Sequence, residues 1–242
     1  MENHFVKSEF ILEKFYFKEN FKIPHIKDLN AKGVIDVYEG MRDFFPSYQY
    51  NDQGTVVAPK LENILNKFDA LLLDAFGVLN VGPSIVPGII ETIDRARDSG
   101  ITLLVVTNGG SYNSYKKRDQ LSLMGLEFSN DEIISSREVA EIFLSYNKPE
   151  GPLGVMGNMG NDFIIPDLHC IELEQDFSMF DEVNSFLLLG TVKWDTVWQD
   201  MLFHSLNDKP RPLFVANPDM VAPHKKRFSI EPAYFLSHLI SK

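Results

Sequence analysis

A single cysteine, Cys170, stands in 242 residues. A lone thiol excludes an internal disulfide, and without a cysteine cluster no zinc site of the usual kind can form. Both absences fit a reducing compartment. Also missing is any apolar run of the roughly 18 to 20 residues a membrane helix needs. The opening stretch, MENHFVKSEFILEKFYFKEN, breaks up its apolar residues with charges and so holds no signal-peptide core. Positive charge is scarce: 23 Lys and Arg against 34 Asp and Glu leave a formal charge of −11. Nucleic acid and anionic membranes call for a clustered basic surface. Neither is an expected partner, and the expected location is the cytoplasm. An acidic protein that takes a phosphorylated small molecule needs local donors or a metal ion.

What is present suits a folded soluble chain. Apolar residues make up 44% and charged residues 24%, enough apolar content for one large domain or a domain with a smaller companion. Residues 1–66 hold scattered aromatics, Pro24, Pro46 and the polar stretch YQYNDQG with no sustained period. They read as an appendage of short helices and loops.

From Phe68 the pattern sharpens. Ala70 to Leu73 is a continuous apolar run, expected for a central parallel strand covered on both faces. Pro87 and Gly88 open an amphipathic helix with Ile89, Ile90, Ile93 and Ala96 at helical spacing, ended at Gly100. ITLLVV follows as a second buried strand, terminating at Thr107-Asn108-Gly109-Gly110. Strand, helix, strand is a crossover that favours a parallel sheet with ligands at the carboxyl ends of its strands. A helix closed by Gly125, a short strand EIISS and a capping box of Ser135 and Glu138 continue the alternation. Residues 67–149 thus form one α/β segment. Residues 150–242 form a second, with strands in LGVMG, SFLLLG and PLFVAN and a helix capped by Asp195 with the stripe Val197, Trp198, Met201 and Leu202. Trp194 and Trp198 read as core of that segment, and His169, Cys170, His204 and His238 as structural.

The chemistry concentrates at two strand ends. An aspartate ending a strand, such as Asp74, often serves only as a turn former or cap. Here Gly77 allows a sharp turn just after it. The next strand of the same crossover ends in a hydroxyl, a side-chain amide and free N–H groups that can hold an anion. A carboxylate beside an anion-binding strand end is what attack on a phosphoryl group requires.

With these residues in place, LLLDAFGVL and LLVVTNGG resemble the first two motifs of the haloacid dehalogenase superfamily. Within it the likeness is to the subfamily of pyridoxal-phosphate and p-nitrophenyl-phosphate phosphatases, through Val86-Pro87-Gly88 and Asn217-Pro218-Asp219. The resemblance covers about residues 68–242. It implies a Rossmann-like parallel-sheet core, an inserted α/β cap over residues 150–242, and a homodimer formed through the cap. It implies a Mg²⁺-dependent phosphomonoesterase acting on a small phosphorylated metabolite. Asp74 would be the nucleophile, forming an aspartyl-phosphate. Asp74 and the Phe76 carbonyl would ligate Mg²⁺, while Thr107, Asn108 and Gly109 would bind the phosphoryl group. Asn217, Asp219, His224 and Lys225 would select substrate from the cap. The run HKKR around the last two also reads as a solvated loop.

Two departures stand out. Position 76 is usually a second aspartate that protonates the leaving oxygen and later activates water, a contribution of about 10² to 10⁴ in rate; here it is Phe76. That substitution supports an alternative, an impaired phosphate-binding or regulatory protein, and a dehalogenase-like reading that chloride release would test. Second, the superfamily's third motif, a strand followed by lysine, and its fourth, a strand followed by acids, have no counterpart after Asp219. Lys209-Pro210 follows no buried strand and is rejected as the lysine. The expectation is a fragment of a longer protein whose core sheet leaves a strand as an exposed edge.

Overall fold

The structure, a computed structural model, describes residues 23–44, 57–224 and 227–240. Close contacts group residues 1–49 with 236–242 in one unit and residues 50–235 in another. In the first unit the principal described element is α1 (Ala31–Gly40), whose Asn30 side chain caps the helix by accepting from the Gly33 N–H. Val34 and Val37, three apart, form its buried face.

The second unit holds the site. Its first strand, β1 (Ala70–Leu73), is followed by a hairpin of β2 (Asn80–Val81) and β3 (Ser84–Ile85), then α2 (Ile89–Asp98), β4 (Thr102–Thr107), α3 (Ser114–Ser122), β5 (Ile133–Ser135) and α4 (Ser136–Tyr146). β1, β4 and β5 form a parallel sheet in that order, with Leu73 opposite Val105 and Thr107 opposite Ser135. The expected crossover is therefore present. Ile89, Ile93 and Ala96 of α2 and Leu121 of α3 pack with Leu73, Leu103 and Val105 in one core. Burying a side chain such as Leu103 contributes roughly 1.5–3 kcal/mol. Both helices serve the same sheet face. The other face leaves Leu72 67%, Val106 38% and Ile134 37% exposed, and β1 is an edge strand among the described residues. The expectation that β1 is central and covered on both faces is thus corrected: a continuous apolar run does not reveal which face receives the helices.

A second parallel sheet follows. It is built from β6 (Leu153–Met156), β7 (Cys170–Glu172), β8 (Ser185–Leu188) and β9 (Leu213–Val215), in the order β7-β6-β8-β9. Between its strands lie α5 (Phe177–Glu182) and α6 (Thr196–Asp208). Asp195 caps α6 through the Val197 and Trp198 N–H groups. Trp198, Met201 and Leu202 are buried as expected, whereas Val197 is 51% exposed and falls off the stripe. A short antiparallel pair, β10 (Val221–Pro223) and β11 (Phe228–Ile230), leads into α7 (Pro232–Ile240). The loops after β4 and β8 touch at two glycines. A Cβ at Gly110 would overlap the Leu189 carbonyl, and one at Gly190 would overlap the Ser111 hydroxyl. Only glycine lets these loops approach so closely.

Arg137 ties α4 to the loop after β6. Its side chain is 2% exposed, and its guanidinium donates to the carbonyls of Asn158 and Met159 and to Asp162. Glu141, one turn along α4, lies 3.5 Å from Arg137 Nε. Burial pushes the Glu141 carboxyl up to about 7, against the pull of Arg137 and with added push from Glu138 and Asp162. Between an ordinary 4.5 and about 7 the folded state keeps a proton that the unfolded chain has lost. Stability therefore falls as pH rises through that window and levels off above it. Glu141→Gln is expected to raise the melting temperature above the window and leave it unchanged below. An equal gain on both sides, read by thermal melts, would contradict this.

Candidate active site

Asp74 follows β1 directly, and the chain then turns within six residues. The Ala75 carbonyl accepts from the N–H groups of Leu79 and Asn80, at 2.9 and 3.0 Å, and the Gly77 N–H donates to the Asn80 carbonyl at 2.7 Å. Ala75 and Leu79 are fully buried and pin the turn to the core. Gly77 has φ +94, a conformation that a residue with a Cβ adopts only under strain. The result holds one carboxylate at the strand end. Asp74 Oδ1 accepts from the Ala75 N–H at 2.7 Å. The Phe76 carbonyl accepts no main-chain hydrogen bond among the described residues.

The loop after β4 stands beside it. Thr107 is buried, and its hydroxyl accepts from the Gly109 N–H at 3.3 Å. Asn108 is held from two sides: its carbonyl accepts from the Ser136 hydroxyl at 2.8 Å, and its amide donates to Asp219 Oδ1 at 3.1 Å. Asp219 arrives from the turn after β9. There Asn217 Oδ1 accepts from the Asp219 N–H at 2.8 Å, while its amide donates to Glu231 at 3.2 Å. Asp74, Thr107, Asn108, Gly109, Asp219 and Glu231 line one cavity of about 220 Å³, together with Phe76, Asn217 and the β10 strand. Among the described residues, larger cavities of about 240, 370 and 420 Å³ lie beside Phe143 and Phe214, over Trp194 and Trp198, and beside Leu121 and Met124, but none gathers these groups.

Most of the expected site residues therefore meet. Asn217 lines the cavity but is buried, with both ends of its amide engaged, so it builds the turn that presents Asp219. His224 is not among the lining residues. It packs against the Phe76 ring, centroids 6.0 Å apart, and against Gly82. Lys225 lies outside the described residues.

Two residues escaped the sequence reading. Glu231 lines the cavity, oriented by the Ser229 hydroxyl at 2.8 Å. Lys117 is buried beside Asp74, and a signal for it exists: Ser114, Lys117 and Leu121 share the buried face of α3. Burial raises the pKa values of Asp74, Asp219 and Glu231. The Ala75 N–H and Lys117 oppose this for Asp74, and the Asn108 hydrogen bond opposes it for Asp219. Burial also lowers Lys117, against the pull of Asp74 and Glu231. The groups are partly stripped of water and their charges act strongly on one another.

Residues 71–165, which contain both strand ends, match the family described as haloacid dehalogenase-like hydrolase. A possible sugar phosphatase of that superfamily from Cytophaga hutchinsonii superposes with a TM-score of 0.65 at 26% identity, over 74% of this chain and 65% of that one. Through these residues the chain is similar to the haloacid dehalogenase superfamily. Over 91 residues it is also 32% identical to phosphoglycolate phosphatase 2 of Arabidopsis thaliana, covering 36% of this chain and 29% of that protein. The matched stretch thus spans under a third of this curated relative. A 4-nitrophenylphosphatase from Thermotoga maritima shares the fold, with a TM-score of 0.57 at 16% identity over 73% of this chain and 65% of that one. No described helix is long and apolar enough to cross a membrane.

Proposed function

We propose that the protein is a phosphomonoesterase for a small phosphorylated metabolite, with Asp74 as nucleophile. The observation that carries the reading is the convergence of the Asp74 carboxylate and the Thr107-Asn108-Gly109 loop on one small cavity. The named relatives are described as phosphatases, which supports catalysis over a purely phosphate-binding role. In the first step an Asp74 oxygen forms a bond to phosphorus as the ester P–O bond breaks, and the leaving oxygen takes a proton from water. In the second, water attacks phosphorus and gives up a proton to solvent, the acyl-phosphate P–O bond breaks, and phosphate is released with the Asp74 carboxylate restored. The Thr107 hydroxyl, the Asn108 amide and the loop N–H groups stabilise the charge that develops on the phosphoryl oxygens. Asp219 orients Asn108 for this through their hydrogen bond.

A magnesium ion suits the donors present. The Asp74 carboxylate and the uncommitted Phe76 carbonyl are hard oxygens, and magnesium is commonly bound by one or two carboxylates with substrate phosphate and water. Among the described residues no cluster of three or more acidic, His or Cys side chains is set to hold a metal, so Asp74 and Phe76 are the expected ligands. The ion would supply charge neutralisation at the phosphoryl oxygens. The test of the reading is phosphate release from a panel of small phosphate esters. Asn108→Ala is expected to lower kcat/KM about 10²- to 10³-fold, as removing one oxyanion donor does. An unchanged kcat/KM would remove the loop from the reaction.

A further inference from the structure

One charged side chain at the site has no role in the scheme above. Lys117 is only 7% exposed, and taking an ammonium group that far from water is costly unless something compensates. Its helix explains the placement, since Lys117 shares the buried stripe of α3 with Ser114 and Leu121. Its neighbour Lys116 sits instead over the Tyr112 ring. Lys117 Nζ lies 5.5 Å from the centre of the Phe76 ring and 3.6 Å from where a Cβ would stand on Gly109. The group therefore ends beside the Gly109 loop, and Lys117 itself lines the neighbouring cavity of about 420 Å³, which shares Phe76 with the Asp74 cavity.

Among the described residues its charge is not consumed by a structural partner. The ion pairs found among the described residues all lie elsewhere. Asp74 and Glu231 act on Lys117 through space without forming a pair within 4.0 Å. Both of these carboxylates, and Asp219, line the cavity. An arriving phosphate meets three acids in a protein whose formal charge is −11, so fixed positive charge at this position has a clear use.

We propose that the Lys117 ammonium binds a phosphate oxygen in the Asp74 cavity, an assignment that rests on the phosphomonoesterase reading above. Lys117 then supplies the cationic side chain of the site, and its burial strengthens the attraction for the anion.

Calorimetric titration of inorganic phosphate into the full chain, in magnesium-containing buffer, tests this with wild type, Lys117→Met and Asn108→Ala. Methionine keeps an unbranched stem and removes the charge. Lys117→Met is expected to weaken phosphate binding about ten- to hundredfold, the value of a hydrogen bond to a charged group. Its melting temperature is expected to hold or rise, because a desolvated charge has gone. A lower melting temperature with unchanged phosphate affinity would make Lys117 a structural residue and overturn the proposal. Weakened binding in Asn108→Ala with wild-type binding in Lys117→Met would overturn the lysine assignment alone. No binding by wild type, or no change in either variant, would overturn the phosphomonoesterase reading and the assignment with it.

Discussion

Asp74→Asn is expected to abolish phosphate release by the full-length protein, with a loss on the order of 10⁴-fold or more, as for removal of other catalytic nucleophiles. The substitution is nearly isosteric. The asparagine carbonyl can still accept from the Ala75 N–H, the one side-chain hydrogen bond of Asp74 among the described residues, so the turn should survive. What disappears is the anionic oxygen that bonds to phosphorus. Phosphate affinity should hold or improve, because a negative charge facing the anion has been removed. Equal rates of phosphate release in wild type and variant would end the proposal.

Phe76→Asp has the next largest expected effect, in the opposite direction. At this position a carboxylic acid can give its proton to the leaving oxygen, a contribution of about 10² to 10⁴ in rate. The gain should depend on the leaving group. Alkyl phosphates release a strongly basic oxygen and need the proton, whereas a nitrophenyl phosphate releases a weakly basic one and needs it less. Turnover should therefore rise for alkyl esters and change little for the nitrophenyl ester. A stability cost accompanies the gain, since Phe76 packs against the core and under His224, and a carboxylate there loses that packing. An equal rise on both ester types, or none on alkyl esters, would show that leaving-group protonation does not limit the reaction.

The sequence disclosed the two strand ends because apolar runs stop abruptly there at polar residues. Leu73 gives way to Asp74 and Val106 to Thr107, and the parallel pairing of β1 with β4 sets the two ends side by side. The capping box of Ser135 and Glu138 was equally legible, and both halves of it are present. What remained hidden depends on distant chain segments. Asn108 and Asp219 are 111 residues apart in sequence yet share a hydrogen bond. The hairpins β2–β3 and β10–β11 have strands of only two and three residues, too short for an alternating pattern. Glu231, which follows β11, was hidden with them. Lys117 was missed for a different reason. Within SYKKRDQ it reads as one of many solvated charges, and only its spacing from Leu121 marks it as buried.

The most direct measurement is to quench the reaction rapidly in acid with a phosphate-labelled substrate and locate the label in the protein by peptide mass spectrometry. Phosphate on Asp74 in the wild type, and none in Asp74→Asn, is the expected result. Steady turnover with no labelled protein, or label on a different side chain, would contradict attack by Asp74.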